Sequence, residues 1–217
     1  MAQLPKGTTF HVATAFGAAQ AATIVTNAAE AVVTCAGHGY ANGDLVEISS
    51  GWGRLDKRVF EVKSVTTDTF VLKRGDTSNT DFFYPGEGVG TVREVTTLTQ
   101  ISKVTAAQSN GGEPRNVDYN YIESDVDYSI NDGFSATSYT LTLDADSIGT
   151  AGYTALQQLT DVQTDTVMKM RTRNGARLFL PCTVALNESV SLQSGQINSV
   201  TVVFNGNNRI TRYGSAE

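Results

Sequence analysis

The sequence predicts a mainly β protein: a sandwich or barrel with one short α-helix, and a small β-barrel-like domain inserted into it. Three observations carry this. Runs of roughly five β-branched, aromatic and aliphatic residues alternate with Gly, Asn, Asp and Pro turn clusters along most of the chain. A single stretch, DSIGTAGYTALQQLTDVQT, repeats its apolar residues at helical spacing. Charged residues make up only 18% of the 217, below the usual quarter, and Thr, Ser and Asn supply the polar faces, as suits exposed strands.

The first strand is expected over residues 8–16, with Phe10 and Val12 on one face and Thr9, His11 and Ala13 on the other. GAAQAATIVTNAAEAVVTC holds no 3.6-residue stripe, and reads as a linker followed by a strand near 31–35. From residue 37 the pattern sharpens. GHGYANGD is a turn, LVEIS a strand, SGWGRLDK a glycine-rich loop, and RVFEVKSV and TFVLKRG are strands joined by TTD. DTSNTDFFYPGEGVG is a long loop. This block has its own strand–turn logic, which puts the inserted domain at 18–91 and the main domain at 1–17 and 92–217.

Beyond it, TVREVTTLTQISKVTA reads as strand, break, strand, and AQSNGGEPRN as a loop flexible in the free subunit. VDYNYIESDVDYSIND alternates, with Val117, Tyr119 and Tyr121 in one run and Val126, Tyr128 and Ile130 in another. In SATSYTLTLDA, Tyr139, Leu141 and Leu143 share a face. The helix follows, capped by Asp146 or Ser147, with Tyr153, Leu156 and Leu159 along one side. TVMKMRTR and ARLFLPCTVAL flank Asn174-Gly175, a hairpin signal. A long strand over 197–204 and a turn complete the chain.

Net charge is −6 and pI about 4.9, a poor basis for gripping nucleic acid by phosphate neutralisation. The charge divides evenly, with nine acidic and six basic residues in 18–91 and thirteen and ten elsewhere. Cys35 and Cys182 form no CxxC, and with only two histidines a zinc site is not expected. No apolar run approaches a membrane span, and MAQLPKGTTF lacks the apolar core of a signal peptide. The chain is expected in a cytosol, or assembled there into something larger.

GHGYANGDLVEIS asks whether this is an enzyme. A phosphate-cradling glycine loop needs a helix directly after it; Gly37, Gly39 and Gly43 are followed by a strand. Cys35 and His38 lack a recognisable orienting group. The glycines are read as turn chemistry and His38 as a solvated turn residue. There is no G-x-S-x-G or paired-carboxylate signature, so no catalytic residue, metal or cofactor is assigned.

Two charged groups stand out. Glu113, Asp118, Glu123, Asp125, Asp127 and Asp132 lie within twenty residues, against Arg115. An EF-hand-type calcium loop would need Gly where Ile130 stands, so a strand with one wet, acidic face is the better account. KMRTRNGAR gathers Lys169, Arg171, Arg173 and Arg177 on a hairpin. The readings open to it are a solvated face, a DNA-phosphate contact, or a partner for acidic groups on a neighbouring chain.

Two resemblances follow from these runs. GHGYANGDLVEIS…LDKRVFEVKSVTTDTFVL looks like a small β-module that recurs in phage structural proteins as a spacer or decoration. GTTFHVATAF, VREVTTLTQISKVTA with VDYNYIESDVDYS, TSYTLTLDADSIGTAGYTALQQL, and TVMKMRTRNGARLFLPCTVALNESVSLQSGQINSVTVVFNGN together resemble, in order and pattern, the major tail tube protein of long-tailed phages. That resemblance implies a virion protein without enzymatic activity, six subunits to a ring, and rings stacked through loops and a short N-terminal arm. It implies a lumen passing double-stranded DNA, with the tape measure, terminator and tip as neighbours. A lumen lined with carboxylates would repel phosphate, which requires the acidic groups to be concentrated on one face. Glu113, Asp118, Glu123, Asp125, Asp127, Lys169, Arg171 and Arg173 are the residues expected at assembly or lumen-facing surfaces. Two other readings stay open: a tail terminator ring, and a carbohydrate- or receptor-binding module using Trp52, Phe82, Phe83 and Tyr84 as an aromatic platform.

Overall fold

The computed structural model describes residues 6–215; the expected N-terminal arm lies largely outside them. Among the described residues sixteen strands form in chain order. The first seven are β1 (Thr9–Phe16), β2 (Gln20–Ala22), β3 (Ile24–Val25), β4 (Val32–Thr34), β5 (Leu45–Ser50), β6 (Arg58–Lys63) and β7 (Thr69–Leu72). Then come β8 (Gly90–Ile101), β9 (Val104–Asn110), β10 (Pro114–Tyr119), β11 (Tyr128–Phe134) and β12 (Ser138–Asp144). Helix α1 (Ala151–Val162) precedes β13 (Thr166–Arg171), β14 (Arg177–Ser191), β15 (Ser199–Gly206) and β16 (Thr211–Tyr213).

Fourteen of the strands join one large antiparallel sheet, curled into a half-barrel, in the order β3-β4-β7-β6-β5-β8-β1-β13-β14-β15-β12-β9. Strands β2 and β16 pair with β8 and β14, off this path. Strands β10 and β11 form a separate hairpin. Strand β8 links the two halves of the sheet: its first residues pair with β5 and β2, and from Val95 onward it pairs with β1.

Alternation decides which faces are buried. Phe10 and Val12 of β1, Leu141 and Leu143 of β12, and Val200, Val202 and Phe204 of β15 turn toward α1 and form one core with its Tyr153 and Leu156. A second core, from Ala22 to Val92, holds Trp52, Phe60, Phe70 and Phe83. A third joins the two, bringing Ala13, Val167, Phe179 and Tyr213 against Leu45, Val59 and Val95. Helix α1 lies so close to β8 that a Cβ on Gly152 would overlap the Gln100 carbonyl oxygen.

The structure corrects several expectations. Residues 20–25, read as a linker, make the short strands β2 and β3, held by pairing with β8 and β4. The helix cap is Thr150, whose hydroxyl accepts from the Tyr153 N–H; Asp144 caps a separate 3₁₀ turn over Ala145–Ser147. AQSNGGEPRN is mostly strand: β9 runs to Asn110, where it pairs with Ser138, and β10 begins at Pro114. Only residues 111–113 turn, with Gly111 and Gly112 at positive φ. The expected turn after residue 204 leads into β16, which pairs with β14.

Candidate assembly surface

GHGYANGD proves structural. His38 is buried, and its Nδ1 accepts from the Tyr40 N–H at 3.0 Å. It is not the solvated residue expected; its ring packs edge-on to Phe70 at 5.1 Å. The Cys35 thiol, also buried, donates to Gln20 Oε1 and not to His38. Burial pushes both thiols up, Cys182 to about 12, so neither is an activated nucleophile. The aromatic platform is likewise broken. Trp52 and Phe83 are buried against each other at 5.3 Å, leaving only Phe82 and Tyr84 exposed. Among the described residues no cluster of His, Cys, Asp or Glu is arranged to hold a metal ion, and no helix is long and apolar enough to cross a membrane.

The acidic residues fall on the β10–β11 hairpin and its surroundings. Asp118 lies on β10 opposite Ser129, Glu113 at the hairpin base, and Glu123, Asp125 and Asp127 in the turn between the strands; all five are exposed. Among the described residues none of the five has a cationic partner, whereas Arg115 pairs with Asp132 at 3.5 Å. The cross-strand pairs Val117–Ile130 and Tyr119–Tyr128 line one face. Sequence alternation predicted a strand with a wet acidic face; Asp118 alone of the five lies on a strand, because the chain turns over residues 120–127, and the apolar face is uncovered as well. Val117, Tyr121, Ile122, Val126, Tyr128 and Ile130 are all exposed, Ile122 fully. Tyr119, Tyr121 and Tyr128 lock together near the tip, with centroids 5.5–5.7 Å apart.

The basic residues sit elsewhere, at the start of β14 and the end of β13. Lys169 lies between His11 of β1 and Phe179 of β14, and Arg171 between Thr9 and Arg177. Arg173 is on the turn, where the backbone of Gly7, which follows Lys6 in the chain, packs against its side chain. The inner part of this cluster is compensated: Arg177 pairs with buried Glu61 at 2.9 Å and Lys73 with the same carboxylate at 3.4 Å. Burial, then Arg177, pulls Lys169 down; burial, then Lys169 and Arg171, pulls His11 down. Among the described residues Lys6, Arg171 and Arg173 are exposed without an acidic partner.

An uncovered apolar hairpin and exposed charge of both signs, without intrachain partners among the described residues, leave this β-sheet protein with surfaces suited to contacts with other chains. The family model for the phage tail tube protein, TTP, matches residues 50–215, and the chain belongs to that family. It is a structural subunit of a phage tail tube and a component of the virion. The match starts inside β5, so it includes part of the 18–91 segment. Among solved structures, one chain from the tail of an empty GTA particle, computed with helical refinement and C6 symmetry, aligns at 10% identity. The alignment covers 54% of this chain and 87% of that one, with a TM-score of 0.43. No curated protein matches.

Proposed function

We propose that this subunit closes with copies of itself into six-membered rings that stack into the tail tube, and that genomic DNA passes through the bore. The observation that carries this is the sheet's free edge. Strand β9 pairs on one side only, with β12, and is exposed over most of its length. A seven-residue open edge is a hazard in a monomer, and a head-to-tail contact that closes by rotation satisfies it. The charge of −6 suits a conduit, since it gives DNA phosphates no general attraction. In this reading residues 1–17 and 92–217 build the tube wall and 18–91 is a module carried on it. The core around Trp52 and Phe60, distinct from the one around α1, supports that division. Terminator, tape measure and tip proteins are its neighbours in the virion.

Negative-stain electron microscopy at high protein concentration, with light scattering alongside, tests the reading. Stacked rings or hollow tubes with six-fold averages are expected. Rings of another symmetry would overturn the ring number, and a compact monomer at every concentration would overturn unaided assembly.

A further inference from the structure

We propose that the acidic β10–β11 hairpin of one copy docks on the basic edge of a neighbouring copy formed by Lys6, Arg171 and Arg173, a contact that rests on the ring reading above. The hairpin carries six carboxylates against one arginine between Glu113 and Asp132, and contributes no residue to any of the three buried cores. It is preorganised: paired from Pro114–Phe134 to Tyr119–Tyr128, and stiffened by the tyrosine trio. A rigid aromatic tip loses little conformational entropy on binding, and Tyr with Arg are enriched at interface centres.

The basic edge is what this chain offers in complement. Its positive charge already opposes protonation of Lys169 and His11, and acidic groups from outside would relieve that repulsion. The other exposed arginines near the hairpin are engaged: Arg54 lies over Phe82 at 3.3 Å and Arg209 over Phe134 at 4.6 Å. These line an open cleft of about 1110 Å³ at the hairpin's own base. Strand register adds a geometric reason. Ser138 aligns with Asn205 and Asn205 with Thr183, so the chain leaves β9 and re-enters β12 on the side facing the Arg177 end of β14. Hairpin and basic edge therefore leave the sheet at the same end. A contact between copies at that end of the sheet thus has both partners within reach.

Charge reversal tests the pairing in the full chain. One variant carries Asp118→Lys, Glu123→Lys and Asp125→Lys; the other carries Arg171→Glu and Arg173→Glu. Each alone should raise the concentration for half-assembly by at least about tenfold, as like charges meet across the contact. An equimolar mixture should restore assembly, because each reversed hairpin then finds a reversed edge. Circular dichroism and thermal melts verify that both variants fold. Either variant assembling like the parent chain, or a mixture of folded variants that does not recover, overturns the proposal while leaving the ring reading intact. Carbodiimide cross-linking of the parent chain at high concentration reads the contact even if rings do not persist. Intermolecular links from Lys6 or Lys169 to the hairpin carboxylates are expected, and their absence overturns the pairing. If reversing Arg171 and Arg173 leaves assembly intact but abolishes binding of a double-stranded DNA probe, the edge is a phosphate contact and the proposal falls.

Discussion

Tyr213 shows how much a single side chain can hold. Its hydroxyl accepts from the Glu61 N–H and donates to the Lys73 carbonyl, each at 3.0 Å, tying the C-terminal strand to β6 and to the segment after β7. Tyr213→Phe leaves a buried N–H without a partner, at a cost of about 1–3 kcal/mol, to be read by urea denaturation. The cysteines give a second expectation. With both thiols buried and raised, Ellman's reagent at pH 8 should label neither in the folded chain and both after denaturation. His11 gives a pH dependence with a definite sign. Its folded pKa lies below the ordinary 6.5, through burial first and then Lys169 and Arg171. Between those two values the unfolded chain binds more proton, so stability falls as pH drops through that window. His11→Gln should flatten that part of the stability–pH curve.

The elements depend on contacts as local as caps and as close as backbone against backbone. Thr150→Ala removes the hydroxyl that receives the Tyr153 N–H and should cost about 1 kcal/mol. Gly152→Ala should cost more, because its methyl would meet the Gln100 carbonyl and push α1 off β8. Thermal melts of the two variants should rank in that order. The hairpin behaves oppositely. Replacing residues 112–136 with a short turn between Asn110 and Ser138 keeps the last β9–β12 pair and removes nothing from a buried core. The melting temperature should stay close to that of the parent chain while ring formation, followed by light scattering, is lost.

At the scale of the molecule, the half-barrel is one sheet with two separate cores and a third between them. The central core, around Ala13, Val59, Phe179 and Tyr213, makes the two halves mechanically continuous. Lys57–Asp165 at 2.8 Å and the Asn208 side-chain amide on the Gly53 and Asp56 carbonyls add polar ties across the same boundary. The two halves of the sheet are thereby held at a fixed angle, which suits a repeating assembly.

Much of this was legible in the residues themselves. Alternation placed β1 and β12, since a half-buried strand must repeat every two residues, and short apolar runs bounded by turn residues placed β5, β6, β7 and β13. Tyr153, Leu156 and Leu159 found the helix by its 3.6-residue period, and Asn174-Gly175 found the β13–β14 turn. The order of the strand runs pointed to the tail tube family, which the family match shows. Strands β2, β3 and β16 were not legible, because elements of two or three residues exist only through the partners that pair with them. The burial of His38, and the pairing that turned AQSNGGEPRN into strand, depended on the same kind of distant contact. So did the exposure of the hairpin: alternation reveals that Val117, Tyr119, Tyr128 and Ile130 share a face, but only the tertiary structure decides whether anything in the chain covers it. The sequence alone determined strand periodicity and charge, which are local properties; which faces remain open was decided by how the sheet curls, a property of the whole chain.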